Sequence, residues 1–345
     1  MVSLYAEDCG ECHEEIFKEW RSSLHSRAFT DPFFQAYWTK DRFEWSCLTC
    51  HTPLENQLKR RVLFRKNRFN APEFEQNDKF DERLQSEGIT CAVCHVRNGI
   101  IYGPFKKSVM NAPHAVGFDP QFLSEEICLR CHEVPAKKFS FLRSAICSTG
   151  NEWSTGPYKQ EGYTCQTCHM PSIERPLVDG GAVRPSRQHL WKGGSKPEQV
   201  LKALSIRVTK EEKRFRVDII NSGAGHAFPT GDPDRKVFIT ATLLSGKNKA
   251  LHSSRVTFER KILWKPVMIE LSDTRLPPRA TKTLFLKKPE KIDPMAKVRV
   301  SGVYQILSER ARKKLTKYYG LKDYPPVRYT FLTSDFPVSE IPAGK

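Results

Sequence analysis

The sequence has no run of apolar residues approaching the 18 or so that a membrane-spanning helix needs. Of its 11 cysteines, only Cys147 lies outside one repeated arrangement. A framework of intrachain disulfides is therefore not expected. No nucleic-acid-binding motif accompanies the basic residues, which makes nucleic acid the weakest candidate partner.

What the sequence does contain is one arrangement repeated five times, two cysteines three positions apart with a histidine directly after the second. The first cysteines of successive copies lie 38, 44, 37 and 37 residues apart, which resembles an internal repeat. The five copies are Cys9/Cys12/His13, Cys47/Cys50/His51, Cys91/Cys94/His95, Cys128/Cys131/His132 and Cys165/Cys168/His169.

C-x-x-C-H is the attachment signature of c-type haem. The two thiols add to the vinyl groups of the porphyrin, and the next residue carries an imidazole under the ring to bind the iron. Zinc sites need paired C-x-x-C units but no histidine after each one, and a thioredoxin-like site would be single and next to a βαβ pattern. The pattern predicts five covalently attached haem c groups, held by the ten cysteines and by the five motif histidines.

Covalent haem attachment takes place outside the cytoplasm, so we expect an exported protein, periplasmic or extracellular. Only eight residues precede Cys9, too few for a signal peptide, which we expect to have been removed. Cys147 is expected to be a small buried residue, with an intermolecular or reactive thiol as the alternative.

The charge of the chain is unevenly distributed. Residues 198–345 carry 30 Lys and Arg against 15 Asp and Glu, whereas residues 1–197 carry 26 against 24. Since each ferric haem with ionised propionates adds about one negative charge, the N-terminal part is expected to be neutral to acidic. The basic part can dock on that acidic part, steer an acidic redox partner, hold an anionic surface or simply be solvated.

The pattern of apolar residues in the sequence changes near residue 197. Residues 1–197 predict a mainly α-helical and irregular pentahaem cytochrome c domain, with a helix in HEEIFKEW after the first motif. Residues 198–345 predict an all-β sandwich of immunoglobulin-like type with one helical insertion, SERARKKLTKYYG. Its predicted strands are ALSIRVTK, RFRVDIIN, KVFITATLL, TKTLFLKK, KVRVSGVYQIL and VRYTFLT.

The sixth position of each iron decides what a haem does. A second imidazole there makes an electron carrier, and an open position binds small molecules. After the motif histidines, five histidines remain, of which we expect four to be sixth ligands: His25, His114, His189 and His226. We expect His252 to be solvated, and Met110 is a weaker candidate ligand.

Several segments resemble the multihaem cytochromes c related to hydroxylamine oxidoreductase and its tetrahaem electron-acceptor cytochrome. They are the run from Cys9 to His25, WSCLTCHTP, GITCAVCH with a later Gly103, Pro104 and His114, and CQTCHMP. The loop GAGHAFPTGDPDR resembles the β-sandwich domain appended to many members.

The resemblance implies specific ligand pairs. His25 is expected to bind the iron of the His95 haem, and His114 the iron of the His13 haem. The second haem, that of His51, is the one expected to be open, unless His226 reaches it. His189 is assigned to the fourth or fifth haem. The fifth motif and the β domain depart from the tetrahaem pattern.

We therefore expect an electron-transfer protein rather than an enzyme, with redox proteins as partners, such as donor and acceptor cytochromes or a terminal reductase. The β domain would serve for docking or self-assembly. The alternative is a multihaem oxidoreductase that acts on a small nitrogen or sulfur compound at an open His51 haem. Against it, the sequence has no C-x-x-C-K variant and no tyrosine cross-link signature.

Overall fold

The computed structural model describes residues 2–43, 45–63, 73–106, 114–136, 144–264, 268–321 and 326–344. The chain forms two compact units that are interleaved along the sequence. The first consists of Met1–Cys131, Thr164–Lys192 and Lys313–Tyr324, and the second of His132–Tyr163, Gly193–Arg312 and Pro325–Lys345. The division passes through the fourth C-x-x-C-H motif. The boundary near residue 197 stays a prediction.

The helices are short, and most lie in the haem-motif half of the sequence. In chain order they are α1 Ala6–Gly10, α2 Glu14–Ser22, α3 Pro32–Lys40, α4 Leu48–His51, α5 Glu82–Ser86, α6 Cys91–His95, α7 Glu126–His132, α8 Thr149–Ser154, α9 Pro157–Gln160, α10 Cys165–His169, α11 Pro197–Leu201 and α12 Glu309–Tyr319. Short 3-10 turns cover His25–Arg27, Trp45–Cys47, Glu55–Gln57 and Pro120–Leu123.

Side-chain caps explain where several of these helices begin. The Asp31 carboxylate accepts the backbone N–H groups of Phe33 and Phe34 at 3.0 and 3.1 Å, and Pro32 occupies the first position of α3. Such a cap stabilises a helix by about 1 kcal/mol. The helix predicted in HEEIFKEW is confirmed as α2. Its Trp20 is buried and donates its indole N–H to the carbonyl of Ile89 at 2.7 Å.

The first unit contains three small sheets. Strands β1 and β2 form an antiparallel pair, β8 and β9 form another, and β3, β4 and β5 form a mixed sheet in which the β4–β5 pair is parallel. Their bounds are β1 Arg60–Leu63, β2 Glu73–Gln76, β3 Val96–Arg97, β4 Ile100–Gly103, β5 Val116–Phe118, β8 Ser172–Arg175 and β9 Arg184–Arg187.

The second unit is dominated by two antiparallel sheets. One has the order β10-β11-β15, and the other has the order β14-β13-β12-β16-β17. A two-stranded sheet, β6 Glu133–Val134 with β7 Cys147–Ser148, precedes them. The remaining strands are β10 Leu204–Lys210, β11 Arg214–Asn221, β12 Lys236–Leu244, β13 Ala250–Leu263, β14 Ile269–Asp273, β15 Thr281–Lys287, β16 Lys297–Gln305 and β17 Arg328–Pro337.

The two larger sheets of the second unit share one hydrophobic core. Alternate residues of β11 (Phe215, Val217 and Ile219) are fully buried, as are those of β12 (Val237, Ile239, Ala241 and Leu243). Side chains from both sheets belong to the same buried cluster. The period-two pattern of these runs therefore sets the register, because a slip by one residue would turn every apolar side chain to the opposite face.

The six predicted strands are all present, and the helical insertion is confirmed as α12, followed by Gly320 at φ 71°. Strands β13 and β14 were not predicted. His252 was expected to be solvated, but it lies in β13 opposite Leu243 and is half-buried. Of the described helices, none has both the length and the apolar character required to cross a membrane.

Candidate haem-binding sites

Each of the five motifs lies in or beside a short helix. The third and fifth motifs fill α6 and α10, the fourth lies in α7, the second ends α4, and the first joins α1 to α2. Residues three positions apart in a helix share one face, so the two sulfurs of a motif lie on the same side. Thr90 fixes the start of α6, since its hydroxyl accepts the N–H of Ala92 at 3.1 Å.

Four of the five motif histidines make the same hydrogen bond. In each, ring atom Nδ1 lies within hydrogen-bonding distance of a backbone carbonyl oxygen. The pairs are His13 with Leu177 at 2.8 Å, His51 with Ala28 at 2.6 Å, His95 with Tyr102 at 2.7 Å and His169 with Lys192 at 2.7 Å.

A carbonyl oxygen only accepts hydrogen bonds, so the ring proton of these histidines must lie on Nδ1. The lone pair is then on Nε2, which is left to bind a metal. Metal-ligating histidines commonly donate their other N–H to a carbonyl or carboxylate in this way. His189 and His226 share the feature, with Nδ1 2.9 Å from the carbonyl of Arg187 and 3.0 Å from that of Ala227.

Burial keeps several of these imidazoles neutral, which is the form that binds iron. It lowers the pKa of His51 and the pKa of His95 below the ordinary value for histidine. Burial also lowers the pKa of His189 to about 3, and the nearby His95 adds to this effect. At neutral pH these rings therefore present a lone pair rather than a second proton.

Two pairs of histidine rings lie at a separation that would suit one metal ion between the two rings. The ring centroids of His13 and His114 are 6.3 Å apart, and those of His95 and His189 are also 6.3 Å apart. An imidazole bound through nitrogen at about 2 Å has its centroid about 3.1 Å from the metal, so two such rings on opposite sides lie about 6.3 Å apart.

Ordinary aromatic pairs also span this distance, but two further observations favour ligation. In His13, His95 and His189 the ring proton is on Nδ1, so Nε2 carries a lone pair that is available to a metal ion. The buried Nδ1 of His114 has no hydrogen-bond partner among the described residues. The residues therefore fit a haem iron with two axial imidazoles at each of these two sites.

The structure brings His114 opposite His13, the same pair that the resemblance implies. It also places His189 near His95, whereas the resemblance implies His25 as the second ligand of that haem; the pairing of His25 stays a prediction. The position of His189 depends on the segment after the fifth motif, which the tetrahaem pattern lacks. Beyond β9, this segment carries His189 to the site of the third motif.

His25 lies in the first unit beside Trp191. The two ring centroids are 4.6 Å apart. Trp191 also contacts His189 edge-on at 5.2 Å, and the next residue, Lys192, offers its carbonyl to His169. His25 therefore stands beside the segment that positions the fifth motif histidine.

His226 lies in the second unit, which also contains His132. The loop after β11 is held by the buried Asn221, whose amide donates to the carbonyls of His226 and Leu276 at 3.0 and 2.9 Å. On the His132 side, the Cys147 thiol donates to the His132 carbonyl at 3.2 Å and contacts Thr149. The hydroxyl of Thr149 is 2.8 Å from that of Thr230, in the His226 loop.

The surroundings of His51 are aromatic. Phe34 stacks on its ring at a centroid distance of 3.8 Å and an interplanar angle of 14°. Phe34 is in turn stacked with Trp38, one turn further along α3. Within the described residues, which include every histidine of the chain, no second imidazole contacts His51. This distinguishes it from His13 and His95.

The motif cysteines form no disulfides, and several of them are neighbours in space. The Cys91 thiol donates a hydrogen bond to Cys9, which raises the pKa of Cys91 and lowers that of Cys9. The Cys128 thiol does the same toward Cys165, raising the pKa of Cys128. Cys94 also acts electrostatically on Cys128. Cysteines of the first, third, fourth and fifth motifs thus form a row within the first unit.

The ten motif cysteines were predicted to share one role, but the structure gives them different surroundings. Cys12 and Cys168 are exposed, whereas Cys50 is half-buried, with its Sγ 3.8 Å from the hydroxyl of Thr49. In the part of the chain that the structure describes, no three His, Cys, Asp or Glu side chains cluster closely enough to hold a bare metal ion. Haem attachment at all ten motif cysteines therefore depends on the spacing of the motif and stays a prediction.

Cys147 and Met110 are the remaining candidate residues. Burial raises the pKa of the Cys147 thiol above its ordinary value, as expected of a packed residue rather than a reactive one. Met110 lies outside the described residues. The signal that sequence reasoning missed was Trp191, an aromatic between His189 and Lys192 that connects two candidate sites.

No known protein family matches the sequence of this chain, and no curated protein matches it in sequence. Its fold, however, is similar to that of a penta-heme cytochrome c552 from Thermochromatium tepidum. The two structures superpose with a TM-score of 0.71 at 19% sequence identity, covering 97% of this chain and 98% of the other. The chain thus has the fold of a multihaem cytochrome c.

Proposed function

We propose that this protein is a pentahaem c-type cytochrome that carries electrons between redox partner proteins. The observation that carries the proposal is the two pairs of imidazole rings with centroids 6.3 Å apart, His13 with His114 and His95 with His189. When bound, haem supplies an iron that gains and loses one electron, with little rearrangement if both axial ligands are imidazoles. The similarity in fold to a penta-heme cytochrome supports the same function.

The ten motif cysteines would hold the haems through thioether bonds. The five motif histidines would be the first ligands of the irons. The second axial ligands would be His114 opposite His13 and His189 opposite His95. We assign His226 to the His132 haem, because the contacts through Cys147 and Thr149 connect the two segments. We assign His25 to the His169 haem, because Trp191 and Lys192 lie between them.

The residues of the chain would contribute spacing and orientation. Cys91 lies next to Cys9 and Cys128 lies next to Cys165, so the attachment points of neighbouring haems would lie side by side. Carbonyl partners at Nδ1 fix the rotation of each imidazole and its basicity. Short distances between attachment points favour electron transfer from one haem to the next along this row.

We further propose that the two large sheets of the second unit form an immunoglobulin-like sandwich for docking or self-assembly. The shared core of the two sheets supports a sandwich. The excess of basic residues in 198–345 favours an acidic redox partner, which it would steer electrostatically. Since haem c is attached outside the cytoplasm, the protein would act in the periplasm or outside the cell, as part of a respiratory chain.

The haem count tests the proposal directly. The intact mass of the matured protein should equal that of the polypeptide plus five haems, and acidic acetone should extract no pigment. A mass equal to the bare 39.7 kDa chain would refute the proposed function.

Spin states test the ligand assignments. His189→Ala should convert one low-spin haem to high-spin in optical and EPR spectra, while all five haems stay attached. His252→Ala is the matched control and should leave every spin state unchanged. Retention of the wild-type spectrum by His189→Ala would refute the assignment of His189.

The alternative function, an oxidoreductase for a small nitrogen or sulfur compound, is favoured by one observation. His51 contacts Phe34 and no second imidazole among the described residues, so its haem would have an open position. The two functions separate in a titration with cyanide or nitric oxide. A spectral change that is lost in His51→Ala, together with turnover of hydroxylamine or nitrite, would favour the enzyme. Five unresponsive low-spin haems would favour the carrier.

A further inference from the structure

Two glutamates, one in each unit, have almost the same surroundings. Each is largely buried, each forms an ion pair with an equally buried arginine, and each accepts a backbone N–H from a segment that carries a candidate sixth-ligand histidine. The first is Glu19 in α2, and the second is Glu152 in α8. The two sites share no residue, so the arrangement occurs twice independently.

Glu19 is held by Arg175 through two parallel hydrogen bonds of 2.8 Å each, from Nη1 to Oε1 and from Nη2 to Oε2. The side chains of Arg175 and Glu19 are 11% and 14% exposed. The same Oε2 accepts the backbone N–H of His189 at 2.8 Å.

The carbonyl of Arg187 completes this arrangement. It accepts Arg175 Nη2 at 3.0 Å and lies 2.9 Å from Nδ1 of the His189 ring. Glu19 and Arg175 therefore hold His189 at its backbone, and through Arg187 they also fix the acceptor of its ring. Rotation and translation of this imidazole are both restricted.

Glu152 forms an ion pair with Arg275 at 2.7 Å, with side chains 12% and 8% exposed. Its other oxygen, Oε2, accepts the backbone N–H of Ala227 at 3.2 Å and the hydroxyl of Thr230 at 2.8 Å. Ala227 is the residue whose carbonyl faces Nδ1 of His226. Glu152 thus holds, at its backbone N–H, the residue whose carbonyl orients the His226 ring.

We propose that Glu19 and Glu152 are positioning residues that hold His189 and His226 against the irons of the His95 and His132 haems. This rests on the proposed function, because it presumes that both histidines are sixth ligands. A carboxylate is suited to this task, since hydrogen bonds to a charged acceptor are shorter and stronger than neutral ones. At Glu19 the two hydrogen bonds from Arg175 keep the carboxylate from turning away, and at both sites the arginine offsets the carboxylate charge where little water reaches.

The Glu19 site is tested by Glu19→Ala in the matured protein. We expect all five haems to remain attached by mass, one haem equivalent to change from low-spin to high-spin, and its reduction potential to shift. Added imidazole should restore the low-spin spectrum, because it occupies the position that His189 leaves. Glu15→Ala, at an exposed site in the same helix, is the matched control and should match the wild type.

Two conservative variants keep the test decisive if Glu19→Ala does not accumulate. Glu19→Gln retains an oxygen that can accept the His189 N–H, so it should give less high-spin haem than Glu19→Asp. The shorter aspartate can still pair with Arg175 but withdraws from His189. Wild-type spectra and potentials in both variants would overturn the proposal for Glu19.

The Glu152 site is tested in the same way. Glu152→Gln should leave a larger low-spin fraction than Glu152→Ala, and imidazole should reverse the change in both. Glu161→Ala removes an exposed ion pair with Arg279 in the same unit and should have no spectral effect. Unchanged low-spin haems in Glu152→Ala would overturn the proposal for this site.

The failure of this proposal can be told apart from the failure of the proposed function. If the wild type lacks five haems, or if His189→Ala and His226→Ala leave every spin state unchanged, then the ligand assignments fail. If those two variants each convert one haem while the glutamate variants do not, the ligand assignments stand and the positioning role alone is wrong.

Discussion

The two units differ in how much hydrophobic core each one has. In the first unit the described apolar side chains that are fully buried are few, and three of the seven are alanines: Ala6, Trp20, Ala36, Leu84, Ala92, Leu315 and Leu321. In the second unit a continuous cluster of valine, leucine, isoleucine and phenylalanine runs from Val200 to Ile341. One unit has a conventional core made by its own side chains, and the other has little of one.

This difference has a simple physical consequence. Burial of apolar area contributes about 25 cal/mol per Å², so a unit with few buried apolar side chains needs another source of apolar surface. In the proposed holoprotein, the faces of the haem rings would be that source for the first unit. The second unit needs no such source for its two large sheets.

The largest expected effect comes from withholding haem. When the full chain is expressed without the haem attachment machinery, hydrogen exchange should show protected amides in β10–β17 and almost none in α1–α6. The reason is that the core of the sheets does not depend on haem. If the amides of α1–α6 are as protected without haem as in the matured protein, the first unit does not depend on haem for its stability and this prediction is wrong.

A cavity in the sheet core should have the next largest effect. Phe215 is fully buried in β11, so Phe215→Ala should lower the free energy of unfolding of the second unit by about 3–5 kcal/mol. The measurement is urea unfolding followed by far-UV circular dichroism, with the haem absorbance recorded in parallel.

The matched control is Phe285→Ala in the neighbouring strand β15. Phe285 is 40% exposed and packs against Arg214 at the surface, so its removal should cost much less. Equal losses for the two variants would show that burial in this core does not set its stability.

The smallest effect is expected from a surface ion pair between β16 and β17, in the other large sheet of the second unit. The Arg299 and Lys297 side chains beside Asp335 hold the pKa of its carboxyl below the usual range. Because Asp335 is partly exposed, Asp335→Asn should cost no more than about 1 kcal/mol at pH 7.

The pH dependence of that small loss follows from the sign of the shift. A carboxyl with a lowered pKa in the folded state stabilises the protein above its unfolded pKa of about 3.9, and this stability is lost as pH falls further. The difference between wild type and Asp335→Asn in urea unfolding should therefore shrink from pH 7 to pH 3. A difference above about 2 kcal/mol, or one that grows in acid, contradicts this account.

The strands of the second unit could be predicted because their alternation is regular. In β11 and β12 apolar residues occur at every second position, and that period places them on one face. Strand β13 escaped prediction because its sequence, ALHSSRVTFERKIL, mixes polar and charged residues with apolar ones. Only Phe258 and Arg260 of this strand are buried, so its existence depends on pairing with β12 rather than on its own pattern.

The candidate sites could be predicted only in part, for a related reason. The motifs reveal the thiols and the first imidazoles because those groups are adjacent in sequence. The second imidazole is set by tertiary structure, and spacing along the chain carries no information about it. His189 lies opposite His95 because β9 and the Glu19 carboxylate bring it there, a contact that joins residues 170 positions apart.

The bond between the His13 ring and the carbonyl of Leu177 has a consequence for biogenesis. These two residues are 164 positions apart, so the earliest motif histidine to leave the ribosome is among the last to receive its hydrogen-bond partner. Until that later segment has arrived, the tautomer of this ring is not fixed. A chain truncated before residue 177 would retain the first motif but lack the acceptor that orients its histidine.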